Sequence, residues 1–122
     1  MCGIVGYIGS QAAQNFLLEG LKRLEYRGYD SAGTATLDEN QQLQIIKSVG
    51  RIASLATELD KSPSESRIGI GHTRWATHGA ATLANAHPHV GGEELLALAH
   101  NGVIENYADL RDMLKDLSLI HI

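Results

Sequence analysis

A chain of 122 residues, 43% of them apolar, is the length of one domain and rich enough in apolar side chains to bury a core. Its formal net charge of -4 offers no electrostatic footprint for nucleic acid, and no apolar run approaches the roughly 20 residues that span a bilayer. The N-terminus lacks the basic start and long apolar stretch of a signal peptide, and the single cysteine, Cys2, excludes an internal disulfide, so a reducing, cytoplasmic setting is expected.

In chain order, Gly3 to Ile8 reads as a short buried strand directly behind Cys2. Gln11 to Leu24 reads as a helix, with Phe16, Leu17, Leu21 and Leu24 on one stripe and Ser10 placed to cap its start. Ser31 to Leu37 is a predicted strand, and the polar turn Asp38-Glu39-Asn40 returns the chain into Leu43 to Ser48 as its hairpin partner. A second helix is expected over Arg51 to Leu59, then a polar loop with Pro63, then a strand over Arg67 to His72. Ala76 to Glu93 carries Gly79, Gly91, Gly92, Pro88, His78, His87 and His89 and reads as an irregular, functional loop. A strand over Glu94 to Ala99 leads into His100-Asn101-Gly102, and a last helix runs from Tyr107 to Leu117 with Asn106 at its N-cap. Hairpins mixed with helices that can cover a sheet face argue for a layered domain of helices and antiparallel strands. The apolar tail Leu117 to Ile122 has no stop signal, so the domain is expected to continue beyond it.

Three places can carry chemistry. Removal of Met1 would put a thiol and a free α-amine on the same residue, Cys2, so a base that titrates near neutral pH would lie beside a soft nucleophile. By position alone, a small buried cysteine is the commoner outcome. His100-Asn101-Gly102 follows a strand; Asn101 can offer a side-chain amide and Gly102 an unobstructed backbone N–H to an oxyanion, although an Asn-Gly turn is common in its own right. Arg74, just past a strand, can clamp a carboxylate bidentately, with Thr77 and His78 as nearby donors and Trp75 as an apolar lid; a surface Arg paired with an Asp and a core Trp are the plainer alternatives. The histidines match no zinc frame, so no metal is expected and hydrogen bonding is their expected use.

Five segments in order resemble the glutamine amidotransferases of the N-terminal-nucleophile hydrolase fold. They are Met1 to Gly6 (MCGIVG), Leu24 to Gly33 (LEYRGYDSAG), His72 to Gly79 (HTRWATHG), Asn85 to His89 (NAHPH) and His100 to Tyr107 (HNGVIENY). The wording RGYDS and TRWATH is similar to the hexosamine-forming branch. The resemblance implies an α+β, four-layer α/β/β/α sandwich of antiparallel sheets, incomplete at its C-terminus. Residues 1–117 would be the N-terminal part of that domain and Ser118 to Ile122 an atypical tail. It implies Cys2 as the nucleophile after Met1 removal, Asn101 and Gly102 as the oxyanion hole, and Arg74 holding the glutamine α-carboxylate with Thr77 and His78. Trp75 would sit at the ammonia exit, and Arg27 in a supporting loop beside the nucleophile. The implied reaction hydrolyses glutamine to glutamate and ammonia through a Cys thioester, without a cofactor. The ammonia would convert fructose 6-phosphate to glucosamine 6-phosphate in a sugar-phosphate isomerase domain of the same chain, in a homodimeric parent. The same fold serving another acceptor, as in amidophosphoribosyltransferases, and a non-catalytic binding module are the competing readings.

Overall fold

The computed structural model describes residues 2–76 and 79–117. A four-stranded sheet is built from β1 (Gly3–Ile8), β2 (Ser31–Leu37), β3 (Leu43–Val49) and β4 (Ile68–Arg74), in the order β1-β4-β2-β3 with every pair antiparallel. Helices α1 (Ala13–Leu24) and α2 (Ile52–Asp60) lie on one face. A two-stranded ribbon, β5 (His89–Gly91) with β6 (Leu96–Leu98), stands at the other, and α3 (Tyr107–Asp116) follows it. This is the α+β layering of antiparallel strands and helices that the sequence predicts.

The helix-covered face owes its shape to β4. Gly69 and Gly71 leave a groove into which α1 settles: a Cβ at either would lie 2.8 Å from the Leu17 Cδ1 and 3.1 Å from the Leu21 Cδ1, respectively. Leu21 joins Ala32, Ile52, Leu55 and Leu59 in a buried cluster with Val5, Leu18 and Ile46 packed against it, so this cluster ties both helices to three strands. Leu21→Ala should therefore lower the unfolding free energy by about 2–5 kcal/mol in a denaturant titration, since the fixed backbone groove cannot collapse into the space left behind. An effect below about 1 kcal/mol would mean that the cluster is not the stabilising core.

The opposite face is apolar too. Ile4, Ile8, Ile68 and Val49 on it are exposed, and the ribbon covers part of it across an apolar cleft lined by Ala35, Leu37, Leu43, Ile68 and Ile70 on one side and Leu95, Leu96 and Ala97 on the other.

Two expectations need correction, and a third holds in place but not in its bond. Ser10 does not cap α1: the helix starts at Ala13 with Ala12 at its N-cap, and the Ala13 N–H donates instead to the Ser66 carbonyl at 2.7 Å. Phe16 does not share the buried stripe of Leu17 and Leu21; it is half exposed and packs on the Tyr7 ring. Asn106 occupies the N-cap of α3 but makes no side-chain bond there. Helix α2 is capped from outside its own sequence, by Glu25 Oε2 accepting the Ile52 N–H at 2.8 Å. The 118–122 tail lies outside the described residues.

Candidate active site

The ends of β1 and β4 build the site. Gly3 is opposite Thr73 in the ladder, so the residues that follow in the two directions, Cys2 and Arg74, come out side by side at one end of the sheet. There a cavity of about 180 Å³ is lined by Cys2, Arg74, Trp75, His87, His100, Gly102 and Val103. Four residues singled out in the sequence, Cys2, Arg74, Trp75 and Gly102, thus share one small space although they are up to 100 positions apart. A larger groove, lined by Asp38 to Asn40, Gln42 to Gln44 and Pro63 to Ser66, lies at the other end of the sheet and contains no thiol.

The Cys2 thiol is half buried and receives the Trp75 N–H at 3.4 Å, with the Trp75 carbonyl 3.7 Å away. The ring of Trp75 is half exposed and lies on Gly28, where φ is +118° and a Cβ would come within 2.6 Å of the indole. Only glycine meets both demands, which gives the Arg27-Gly28-Tyr29 segment a structural purpose. Arg27 itself closes the short 3-10 turn Glu25–Arg27, exposed and outside the cavity lining.

Arg74 is buried. Its Nη1 donates to the Ala80 carbonyl at 2.8 Å and lies 4.0 Å from Asp30 Oδ1. Asp30 was missed as a candidate by sequence reasoning. Its carboxylate also accepts the Ala76 N–H and the Ser31 hydroxyl (3.0 Å), so it fixes both the guanidinium and the chain leaving β4. The only signal was its place within the Arg27 to Ser31 segment, which names no role. Thr77 and His78 lie outside the described residues.

Asn101 does not line the cavity; its two neighbours do. Its Oδ1 is 2.7 Å from Nε2 of the buried His72, and the backbone N–H of His100 donates to His87 Nδ1 at 3.4 Å. The His87 ring lies between His72 (centroids 4.2 Å apart, stacked) and His89 (4.3 Å). Burial, then the neighbouring positive charges, lower all three histidines from their ordinary value, His87 to about 4. Among the described residues no three His, Cys, Asp or Glu side chains are grouped as metal ligands.

The His87 shift has a sign. Unfolded, the ring takes its proton near pH 6.5; folded, it resists until about pH 4. The unfolded state therefore binds the proton first, and the stability that neutral His87 contributes, fully present above about pH 6.5, is lost as pH falls towards about 4. Thermal unfolding of the wild type across that window should show a decline that is shallower in His87→Phe. Identical slopes would remove His87 from the acid response.

This fold agrees with comparisons to known proteins. The family model described as "Glutamine amidotransferases class-II" matches residues 10–116, and the chain belongs to that family. Among solved structures, the glutamine phosphoribosylpyrophosphate amidotransferase from B. subtilis, complexed with ADP and GMP, superposes with a TM-score of 0.80 at 29% identity, covering 100% of this chain and 26% of that one. The allosteric regulatory enzyme of purine biosynthesis does so with a TM-score of 0.83, also at 29% identity with the same coverages.

More similar in sequence are glutamine–fructose-6-phosphate aminotransferases (isomerizing). That of Synechocystis sp. is 54% identical over 116 residues, 95% of this chain and 18% of the relative. That of Clostridium perfringens is 53% identical over 116 residues, 95% and 19%. That of Pseudomonas aeruginosa is 54% identical over 120 residues, 98% and 20%. The chain spans about a fifth of the length of these curated relatives. No helix among the described residues is long and apolar enough to cross a membrane.

Proposed function

We propose that this chain is the glutamine-hydrolysing part of a glutamine–fructose-6-phosphate aminotransferase. The observation that carries the reading is one cavity holding the Cys2 thiol, the Arg74 guanidinium and Gly102. A thiol alone would be inert; a thiol beside a buried cation and a glycine backbone has what amide hydrolysis of an amino acid needs.

In this mechanism Met1 is removed, and the α-amine of Cys2 takes the thiol proton. Sγ attacks the side-chain carbonyl carbon of glutamine, and the electron pair moves onto oxygen, where the Asn101 amide and the Gly102 N–H receive it. The α-ammonium returns its proton to the departing nitrogen as the C–N bond breaks, so ammonia leaves and a γ-glutamyl thioester remains. Water, deprotonated by the same amine, cleaves the thioester to glutamate and restores the thiol. Arg74 holds the α-carboxylate throughout, Thr77 and His78 add donors, Trp75 stands at the ammonia exit, and Arg27 supports the loop beside it.

The acceptor is proposed as fructose 6-phosphate, converted to glucosamine 6-phosphate by a sugar-phosphate isomerase domain of the same chain in a homodimer. Identities near 54% with the aminotransferases against 29% with the phosphoribosylpyrophosphate enzyme favour this acceptor. A lone nucleophilic thiol is suited to the reducing cytoplasm. Incubating the full chain with an electrophilic glutamine analogue and weighing it tests the reading: one adduct on Cys2, on a mass lacking Met1, is expected. A mature chain that keeps Met1 overturns the free-amine step.

A further inference from the structure

The reading above gives Asn101 a role that a flexible amide fills poorly. An amide that can rotate presents its oxygen to the oxyanion as readily as its nitrogen, and the first arrangement repels. Something must hold it one way round. We infer that His72 is that positioning residue: its Nε2–H donates to Asn101 Oδ1 and so leaves the Nδ2 hydrogens for the oxyanion. The inference rests on the proposed glutaminase function.

Two features set the direction of the hydrogen bond. His72 is fully buried, and Nε2 lies 2.7 Å from Oδ1. Its other ring nitrogen, Nδ1, is buried and has no hydrogen-bond partner among the described residues. If the Asn101 amide were reversed and donated to Nε2, the single proton of the neutral ring would sit on Nδ1 as a stranded buried donor. Buried orphan donors are rarer than under-used acceptors. The ring is held neutral chiefly by burial, with His89 and Arg74 acting in the same direction and Asp30 and Asn101 against them.

The surroundings fix the ring in turn. Gly33 is opposite His72 in the sheet, and the His87 carbonyl comes within 2.2 Å of where a Gly33 Cβ would stand. Glycine there lets the His87 loop press onto the sheet, so that the His87 ring stacks flat on His72 with 21° between the planes. His87 Nδ1 also accepts the N–H of His100, the residue before Asn101. Two neutral imidazoles therefore grip the Asn101 segment, one by its backbone and one by its amide oxygen.

The test measures kcat and KM for glutamine hydrolysis in the full chain. Removing one oxyanion donor outright costs on the order of 10²–10³ in kcat, so His72→Phe, which only frees the amide to rotate, should lower kcat by about 10- to 100-fold. KM should stay within about threefold, because the lost interaction forms only in the transition state. His72→Gln, which can still donate, should recover most of the loss. His72→Phe added to Asn101→Ala should cost nothing further. An unchanged kcat in His72→Phe, a loss shared equally by His72→Gln, or losses that multiply in the double variant would each overturn the inference. Should His72→Phe fail to fold, nitrogen NMR on the wild type decides: a neutral ring protonated at Nε2 supports the inference and one protonated at Nδ1 overturns it. A wild type that neither hydrolyses glutamine nor labels at Cys2 would refute the functional reading itself, whatever the tautomer of His72.

Discussion

Cys2→Ala should leave the full-length enzyme folded and unable to hydrolyse glutamine. The side chain is half buried in the cavity lining and, among the described residues, bonds to the Trp75 backbone, so truncating it costs little packing. The variant has no substitute nucleophile of the same kind, because this is the only thiol in the sequence. Removing the nucleophile of a covalent hydrolase lowers turnover on the order of 10⁴- to 10⁶-fold, the remainder coming from oxyanion stabilisation and binding. Steady-state glutamate release, and intact mass after exposure to an electrophilic glutamine analogue, measure both halves of this. A γ-glutamyl adduct that still forms in Cys2→Ala would sink the assignment of the nucleophile.

Arg74→Ala should lower kcat/KM for glutamine by about 10²- to 10³-fold, the range expected when one partner of a buried, hydrogen-bonded charge pair is removed. The guanidinium is buried 4.0 Å from Asp30 and fastened to the Ala80 carbonyl, so it is held in place before substrate arrives. A pre-placed fork spends little entropy on binding a carboxylate. The discriminating substrate is a glutamine analogue without the α-carboxylate. Wild type should discriminate strongly against it, and Arg74→Ala should lose most of that discrimination. If the variant loses equally on both substrates, Arg74 is a structural partner of Asp30 and no carboxylate clamp. Thermal unfolding alongside separates the two effects, since Asp30 also loses its cation in this variant.

The elements that were legible in the sequence are those with a strong local period or turn signal. Ser31 to Leu37 and Leu43 to Ser48 alternate around a turn whose Asp38 carboxylate accepts the Asn40 and Gln42 N–H groups, and they form the hairpin as expected. The ribbon was half legible. Its second strand falls within the predicted Glu94 to Ala99, but its first, His89–Gly91, lay inside the segment read as an irregular loop. Three residues ending in glycine have no period to detect, and the connection relies on positive φ at Gly92, Glu93 and Glu94, two of which are not glycine.

Cys2, Arg74, Trp75 and Gly102, which share one cavity, were singled out because a thiol, a cation, a large apolar ring and bare backbone are recognisable by residue type. Asp30 was not, and His72 and His87 were read only as hydrogen-bonding histidines without partners, because all three act on other protein groups. A residue whose partner is the Ala76 amide, the Asn101 side chain or the His100 N–H announces itself only once the chain is folded.

The strand that follows Cys2 is paired with β4 among the described residues. Its position along the site is gauged by the rungs of that pairing, Gly3 to Ile8 against Thr73 to Ile68. Those rungs act as a ruler with marks about 3.4 Å apart and with alternate marks on opposite sides. One residue inserted between Cys2 and Gly3 would carry the thiol a full mark past Arg74 and turn it to the wrong side. The proposed chemistry tolerates no change in the length of chain behind the thiol, which makes the spacing from Cys2 to β1 as much a part of that proposal as the sulfur atom.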